Sequence, residues 1–310
     1  MRHIFIQGKA LVLLIALSAV AATGITAEKP ILLGILEDVP GKYQGMPNSR
    51  YVRVAFQKSG ETWKAFPSGC SDGPTCLKHL PSLYPTEVSW TIAFDGKNVG
   101  HLTTHAPAEF DFYSDVGSET ITSSGAIPTV GKRSQEYAGF LYGSVYRPLV
   151  AVSQPYFNDP DNWKPLKLRP DVQASLRRQF RNLFPNVENC ASPEENIGRP
   201  WQYRDPDIFI DRAYSSHTGW RLASLRLGDY RCDGPSETPS HDPFSSQWFV
   251  VDARGHIDFL AQGLRLVDAG DYDNDGNSEL LFAIEGYDLG GYELFYDDFK
   301  MHSKFQFSYH

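Results

Sequence analysis

Residues 266–282 read LVDAGDYDNDGNSELLF, a stretch in which an acidic loop lies between two apolar runs. Acidic residues occupy positions 1, 3, 5 and 9 of the loop, and glycine occupies position 6. Alternate side chains of a tight turn converge on one point, and glycine permits the backbone reversal that directs the next carbonyl inward. Hard Ca²⁺ prefers six to eight such oxygens at roughly 2.3–2.6 Å. The spacing therefore predicts a calcium site in this loop.

The predicted ligands are four side chains and one backbone carbonyl. They are Asp271, Asp273, Asp275 and Glu279 for the side chains, and Asn277 for the carbonyl. Without a cation, two carboxylates about 4 Å apart repel each other by roughly 4 kcal/mol at an effective dielectric constant of 20. The alternative is an acidic surface turn that binds no ion, since Asx-Gly turns are common. Because one loop supplies nearly all the ligands, we expect a structural rather than a catalytic ion.

The residues after the loop distinguish it from an EF-hand. An EF-hand requires a bidentate Glu at position 12 of the loop, followed by a helix. Here position 12 is Phe282, and residues 280–284 form an unbroken apolar run. Such a run predicts a buried strand rather than a helix.

Residues 269–280, AGDYDNDGNSEL, resemble the calcium loop of integrin-type FG-GAP repeats, which is also found in bacterial VCBS-type proteins. In that family the loop joins two strands of a β-propeller blade and binds Ca²⁺. The resemblance implies Ca²⁺ as the cofactor, a calcium-loop hairpin at about 266–296, and an irregular β-propeller-like architecture. The chain holds one recognisable copy of the loop, with Glu279 where the family more often has Asp.

The rest of the chain predicts further β-hairpins and one helix. Hairpins are indicated by paired apolar and aromatic runs separated by turn residues. The pairs are 51–56 with 62–66, 88–94 with 99–104, 208–214 with 220–227, 247–251 with 257–260, and 279–284 with 292–296. Residues 170–184 have the apolar period of a helix and begin with a proline. The predicted fold class is therefore mainly β and hairpin-rich, with one α-helix near 170–184.

Three arginines lie on the polar side of this predicted helix: Arg177, Arg178 and Arg181. Charge along one helix face usually marks a solvated surface. The alternative is a contact with an anion or a glycan.

The N-terminus has the pattern of a secretory signal peptide. Basic residues precede the apolar stretch 10–22, and the small residues at 19–21 and 25–27 make both of these plausible cleavage sites. The apolar stretch is shorter than the roughly 20 residues of a membrane span. We therefore expect residues 1–27 to be a cleaved signal peptide, residues 28–310 to form a single β-rich domain, and the protein to be secreted or periplasmic. The alternative is an N-terminal anchor helix.

The charge of the chain limits its partners. Removal of residues 1–27 takes away two basic residues and no acid, which makes the net charge more negative than the −8 of the full sequence. An acidic surface disfavours nucleic acid. No later stretch is apolar enough to cross a bilayer, so we expect no membrane span after signal cleavage. The remaining expected partners are an unidentified protein, a glycan or a small-molecule ligand.

Four cysteines are present: Cys70, Cys76, Cys190 and Cys232. An even number in an exported chain predicts two disulfides. The turn-rich loop between the first two favours Cys70–Cys76, which leaves Cys190–Cys232. Four cysteines permit two other pairings as well, and these stay open.

No catalytic motif stands out in the sequence. Lipase-type G-x-S-x-G and phosphate-binding glycine motifs are absent. His101 and His105 have H-x-x-x-H spacing, but Leu102 replaces the Glu that a metalloprotease needs, and the region predicts a strand. A pair of acids could serve a glycosidase if the fold placed its members about 5–10 Å apart. The candidate pairs are Glu37-Asp38, Asp205/Asp207 and Asp297-Asp298.

Two functional hypotheses follow. The first is an exported, non-enzymatic calcium-binding protein with a structural or ligand-binding role. The alternative is an exported hydrolase that acts on a glycan, a peptide or an ester, with calcium as a structural brace. A pocket that holds two acids would favour the hydrolase.

Overall fold

The computed structural model describes residues 29–39, 49–67, 79–107, 118–125, 147–187, 202–228, 242–286 and 289–308. These residues form 16 strands in three antiparallel sheets and one α-helix, α1 (Pro170–Leu183). The expected mainly β, hairpin-rich class and the expected helix are therefore confirmed. The predicted signal peptide and all four cysteines, with their predicted disulfides, lie outside the described residues.

The first sheet is a closed ring of strands. Its members are β1 (Ile31–Val39), β2 (Ser49–Ser59), β3 (Thr62–Ala65), β4 (Glu87–Phe94), β5 (Lys97–His105), β6 (Ser118–Ser124) and β7 (Leu149–Val152). Six of them pair in the order β1–β7–β4–β5–β6–β2, and β2 pairs again with β1. Strand β3 extends β2 outside the ring as the second arm of a hairpin.

The other two sheets are up-and-down meanders. The second sheet contains β8 (Lys164–Pro165), β9 (Ile208–Ser215), β10 (Arg221–Leu227), β11 (Gln247–Val251) and β12 (Ile257–Gln262). The third sheet contains β13 (Leu264–Gly270), β14 (Glu279–Gly286), β15 (Leu289–Tyr296) and β16 (Met301–Ser308). All five predicted hairpins are found, as β2–β3, β4–β5, β9–β10, β11–β12 and β14–β15. The meanders have the connectivity of propeller blades, but the first sheet is a ring, and a propeller-like arrangement is not confirmed.

The third sheet is the central layer of the core. On β14, Leu281 and Ala283 pack with the first sheet, whereas Leu280, Phe282 and Ile284 pack with the second. Side chains of a strand alternate between its two faces, so both faces of β14 are buried. This explains why its sequence is an unbroken apolar run rather than an alternating one.

Helix α1 covers the outer face of the second sheet. Leu176 and Phe180 are fully buried against residues of β9, β10 and β11. Pro170 occupies the first turn, where its missing N–H costs no hydrogen bond. Asp171 near the N-terminus and Arg181 in the last turn both complement the helix dipole. The order of layers is thus ring, third sheet, second sheet and helix.

Candidate metal centre

The acidic loop connects β13 to β14, with Gly270 opposite Glu279 as the last backbone pair before it. Two residues in the loop, Asn274 and Gly276, have positive φ angles of 61° and 92°. Glycine and asparagine adopt this left-handed backbone most readily. Together they reverse the chain within the loop, which is the role that the sequence predicts for Gly276.

Three of the predicted ligands converge. One carboxylate oxygen from each of Asp271, Asp273 and Asp275 lies within 4.8 Å of the other two. Two oxygens on opposite sides of one Ca²⁺ would be up to about 5.2 Å apart, so this spacing fits a single shared ion. Backbone N–H groups of Asp275 and Gly276 hold the Asp271 carboxylate at 3.1 and 2.9 Å. No other group of three potential metal-ligating side chains meets this distance within the part of the chain that the structure describes.

The other two predicted ligands lie at the end and the tip of the loop. Glu279 is 2% exposed, and its Oε2 accepts a hydrogen bond from the backbone N–H of Tyr272 at 2.8 Å. Asn277 is exposed, and its backbone and side-chain N–H groups donate to Asp275 Oδ1 at 2.8 and 3.2 Å. Neither residue belongs to the converging group, so their roles as ligands stay predictions.

The loop concentrates negative charge in a partly dehydrated place. Burial, together with the charges of the three loop aspartates, raises the pKa of Glu279 well above its ordinary value. Burial also raises the pKa of Asp271, and the charges of Asp273 and Asp275 contribute to that rise. A divalent cation would remove the repulsion that these shifts reflect. The donor set consists of hard carboxylate oxygens, which is the chemistry that Ca²⁺ prefers.

The β2–β3 hairpin of the first sheet reaches this loop. Lys58 Nζ and Trp63 Nε1 both donate to Oδ2 of Asp273, the tryptophan at 3.1 Å. The side chains of Asp273 and Lys58 are 1% and 10% exposed. Burial alone would lower the pKa of Lys58, but the hydrogen bond to Asp273 and the charges of the loop acids outweigh it and raise that pKa. Lys58 therefore places a positive charge within the acidic cluster.

The segment between β7 and β8 also holds the loop. Ser278 Oγ donates to Asp159 Oδ1 at 2.7 Å, and the Ser278 backbone N–H donates to Asp161 Oδ2 at 3.3 Å. Asp161 in turn accepts a hydrogen bond from the Thr218 hydroxyl, in the β9–β10 turn of the second sheet. These contacts tie the end of the acidic loop to the second sheet.

Two residues of the same segment pack at the start of the loop. Asn158 forms isolated β-bridges with both Lys97 on β5 and Asp271. The ring of Phe157 stacks on Tyr272, with ring centroids 5.7 Å apart and an interplanar angle of 16°. Asn158 thus links β5 of the first sheet to the acidic loop through backbone bridges, and Phe157 packs on the loop through its ring.

Sequence reasoning missed four of the residues that surround the loop: Lys58, Trp63, Asp159 and Asp161. Proline, asparagine and acidic residues make 159–165 typical of a surface loop. This composition therefore gives no sign that the segment contacts the acidic loop. The alternating aspartates at 159 and 161 are the one local signal. Nothing near Lys58 and Trp63 in the sequence points to an acidic loop more than 200 positions away.

The acid Glu37 of the first candidate pair is part of a buried structural network. It forms an ion pair with Arg53 at 3.0 Å. The hydroxyls of Tyr51 and Tyr292 donate to it at 2.5 and 2.7 Å. Glu37 and Arg53 are 6% and 1% exposed, so this network joins the first and third sheets rather than facing a substrate.

The remaining acid pairs are also engaged in local contacts. Asp205 pairs with Arg181, and Asp207 accepts the Arg204 backbone N–H at 2.6 Å. Asp298, in the β15–β16 turn, pairs with Lys300 at 3.1 Å. Asp205, Asp207 and Asp298 thus each have a partner within the protein.

The two histidines lie on a strand, as the sequence predicts. Both belong to β5, with His105 Nε2 3.2 Å from Glu87 on the neighbouring strand. His101 lies 3.4 Å from the Thr91 hydroxyl and the Asn98 amide. Neither joins a group of metal-ligating side chains among the described residues.

A buried acid in the first sheet stands apart from these candidates. Glu119 on β6 is fully buried and accepts hydrogen bonds from Thr104 Oγ1 and from Trp90 Nε1, the latter at 3.3 Å. Its other oxygen, Oε1, has no hydrogen-bond partner among the described residues. Burial raises the pKa of Glu119 to about 7.

Comparisons of the chain with known protein families, with curated proteins and with solved structures find no match. Among the described residues, no helix has both the length and the apolar character needed to cross a membrane. Any functional proposal for this protein therefore rests on its sites, because a fold alone does not define an activity.

Proposed function

We propose that this protein is an exported calcium-binding β-rich protein with a structural or ligand-binding role, in which one Ca²⁺ ion braces the 271–279 loop. The observation that carries the proposal is the convergence of carboxylate oxygens from Asp271, Asp273 and Asp275 within 4.8 Å. The resemblance of the loop to FG-GAP-type calcium loops supports it. The secretory pattern of residues 1–27 supports export.

The surroundings of the loop favour a structural ion. The loop contacts the first sheet through Lys58 and the second sheet through the Ser278–Asp161–Thr218 chain of hydrogen bonds. An ion that fixes this loop would therefore stabilise contacts among three sheets. The bound partner, a protein, a glycan or a small molecule, would be recognised elsewhere on the surface.

The calcium test compares the thermal midpoint of the protein in millimolar Ca²⁺ and in EGTA. Extracellular calcium sites bind with a Kd of roughly 10⁻⁴–10⁻³ M, and about tenfold saturation adds about 1.4 kcal/mol of stability. For a chain of this size we expect an increase of a few degrees. Calorimetric titration should give one calcium ion per chain.

The variant that tests the site is Asp275→Asn. Asp275 is exposed and its hydrogen bonds lie within the loop, whereas Asp273 also binds Lys58 and Trp63. Asp258→Asn, an exposed acid on β12, is the matched control. The calcium-dependent increase should vanish in Asp275→Asn and persist in Asp258→Asn. Absence of both the shift and the binding heat in the unmodified protein would refute the proposal.

The export component has a separate test. Full-length protein expressed in a host with a secretory pathway should leave the cytoplasm with Glu28 as its first residue, because the small residues before it favour cleavage after Ala27. N-terminal sequencing of the released protein measures this. Retention of Met1 on a membrane-bound protein would instead support an anchor helix.

One cavity supports the alternative, an exported hydrolase with a structural calcium ion. It has a volume of about 540 Å³, and its lining includes three acids, which are Asp242, Glu285 of β14 and Glu293 of β15. Both glutamates have partners, because Glu285 pairs with Arg265 and Glu293 lies 2.7 Å from His302. If these glutamates act on a substrate, the double variant Glu285→Gln/Glu293→Gln should lose turnover of glycan, peptide or ester substrates without losing calcium binding. Lack of turnover in the unmodified protein would exclude this alternative for those substrates.

A further inference from the structure

A basic groove lies on the helix side of the second sheet, and no residue of the acidic loop lines it. Its volume is about 350 Å³, within the range of small-ligand sites. Helix α1, strand β9 and the short connection between β8 and α1 form its walls. The connection is fixed to β9 by the β8–β9 pairing and by the Leu166 N–H, which donates to the Ala213 carbonyl at 2.8 Å.

Three basic residues from three separate elements line this groove. Lys167 comes from the β8–α1 connection, Arg177 from α1 and Arg212 from β9. The acid in the lining is Asp211. Arg226, on the neighbouring strand β10, binds its carboxylate through Nε at 2.7 Å. The lining therefore carries net positive charge on a chain whose total charge is −8.

The regular pairing of β9 and β10 breaks beside Arg212. The register shifts at this point, so that Ser224 pairs with Arg212 but Leu225 pairs with Ile210. Asp211 is the extra residue, and Asp211 and Arg212 are both exposed although they are consecutive on the strand. Such bulges redirect side chains and are frequent near functional sites.

Arg177 is held in place at the groove. It is half-buried, and its Nε donates to the Ile208 carbonyl at 3.4 Å, which orients the guanidinium. Within the described ranges, neither Lys167 nor Arg177 has a carboxylate within 4 Å. The other two arginines of the helix differ, because Arg181 pairs with Asp205 and Arg178 contacts Ser175. The structure thus separates one groove-lining arginine from two that have partners outside the groove.

We propose that this groove binds the oxyanion group, a carboxylate or a phosphate, of a small ligand. Guanidinium groups bind such anions through paired, charge-assisted hydrogen bonds, and a nearby ammonium adds a point charge. The groove volume fits one small molecule better than a polymer, and the acidic chain as a whole disfavours nucleic acid. This inference goes beyond the calcium proposal and does not depend on it, because no residue of the 271–279 loop lines the groove.

The test is calorimetric titration of the purified protein with two probes, inorganic phosphate and D-glucuronate, at low ionic strength in EGTA. We expect saturable binding of one molecule per chain by at least one probe, and weaker binding at high salt. Binding of phosphate alone would identify a phosphate-bearing ligand, and binding of glucuronate alone would identify a carboxylate-bearing one. A repeat of the glucuronate titration in millimolar Ca²⁺ should give the same affinity.

Three variants locate the site. Arg177→Gln and Lys167→Gln should each weaken binding by about tenfold, because each removes a charge-assisted contact. Arg178→Gln, on the same helix but outside the groove lining, should change the affinity by less than about twofold. Lys167 is exposed, so its variant tests the groove even if Arg177→Gln unfolds the helix end, which circular dichroism would reveal.

Two results would overturn the proposal. One is the absence of saturable binding by either probe to the unmodified protein. The other is an equal loss of affinity in Arg178→Gln and in the two groove variants, since that would mean only a general effect of charge. A failed calcium experiment would leave this result unaffected, because the titrations are run in EGTA.

Discussion

The ammonium group of Lys58 lies against the carboxylate of Asp273, although the two residues are 215 positions apart in the chain. Lys58 is on β2 of the ring, and Asp273 is in the loop of the third sheet. Trp63, across the β2–β3 hairpin, donates to the same carboxylate oxygen. One predicted calcium ligand is therefore shared between a protein cation and the ion that we propose.

Lys58→Met tests this competition. Removal of a positive charge close to a divalent ion should tighten calcium binding by at least about tenfold. In EGTA the same variant should be less stable, because the buried Asp273 carboxylate loses its charged partner. Calcium titration and urea denaturation measure the two effects.

Lys64→Met is the control for this experiment, because Lys64 is exposed on β3 of the same hairpin. It should leave both calcium affinity and stability nearly unchanged. If Lys58→Met weakened calcium binding instead, Lys58 would have to support the geometry of the site rather than compete with the ion.

Ser278→Ala tests the link between the acidic loop and the segment that connects β7 to β8. Ser278 is 5% exposed and donates to Asp159 at 2.7 Å, so its loss should cost roughly 1.5–3 kcal/mol of stability, as expected for a hydrogen bond to a charged group. The loss should be similar in Ca²⁺ and in EGTA, because the hydroxyl is not a predicted ligand. Ser175→Ala, which removes a surface contact to Arg178, should have little effect. A loss confined to Ca²⁺ would show that Ser278 acts through the ion.

Gly270→Ala tests the close packing before the loop. A β-carbon at this position would overlap the ring of Phe157, which is itself packed on Tyr272. Overpacking of this kind typically costs about 1–3 kcal/mol, so the free energy of unfolding should fall by about that amount. Urea denaturation would measure the change. Gly286→Ala is the matched control at the end of β14, since its new β-carbon would lie 3.6 Å from the nearest atom. Equal losses of stability in both variants would contradict the packing argument.

Glu119 predicts a pH dependence of stability. Burial raises its pKa from 4.5 to about 7, so the folded protein retains this proton over a range in which the unfolded chain has lost it. The folded state binds more protons between these values, and stability therefore falls as the pH rises from about 4.5 to about 7. Above about pH 7 the full cost of burying the charged Glu119 carboxylate destabilises the fold, and below about pH 4.5 this cost is absent.

Glu119→Gln removes this titration while retaining the shape of the side chain. The variant should be more stable than the unmodified protein at about pH 8, by up to roughly 3 kcal/mol, and close to it at about pH 4. Urea denaturation at both pH values measures the difference. Glu61→Gln, an exposed turn residue, should show no such pH-dependent gain. A gain of equal size at both pH values would point to packing rather than to ionisation.

The hairpins and helix α1 were predictable because their signals are local. Turn residues such as Asp95-Gly96, with positive φ in both positions, lie between runs of β-forming residues. The unbroken apolar run of β14 predicts a buried strand, and its burial on both faces confirms that prediction. The closure of the ring was not predictable, because the β1–β7 and β2–β6 pairs join segments that are distant in the sequence.

The sequence by itself determined the mainly β class, the hairpin positions, the helix and the acidic loop with its alternating aspartates, since each depends on the spacing of neighbouring residues. Only the tertiary structure brought Lys58 and Trp63 to Asp273, and Asp159 to Ser278. It also placed Arg177 at a groove, and gave Arg178 and Arg181 partners outside that groove. The physical reason is that these contacts depend on how the sheets stack, and the stacking is decided by the total burial of apolar surface rather than by any local pattern.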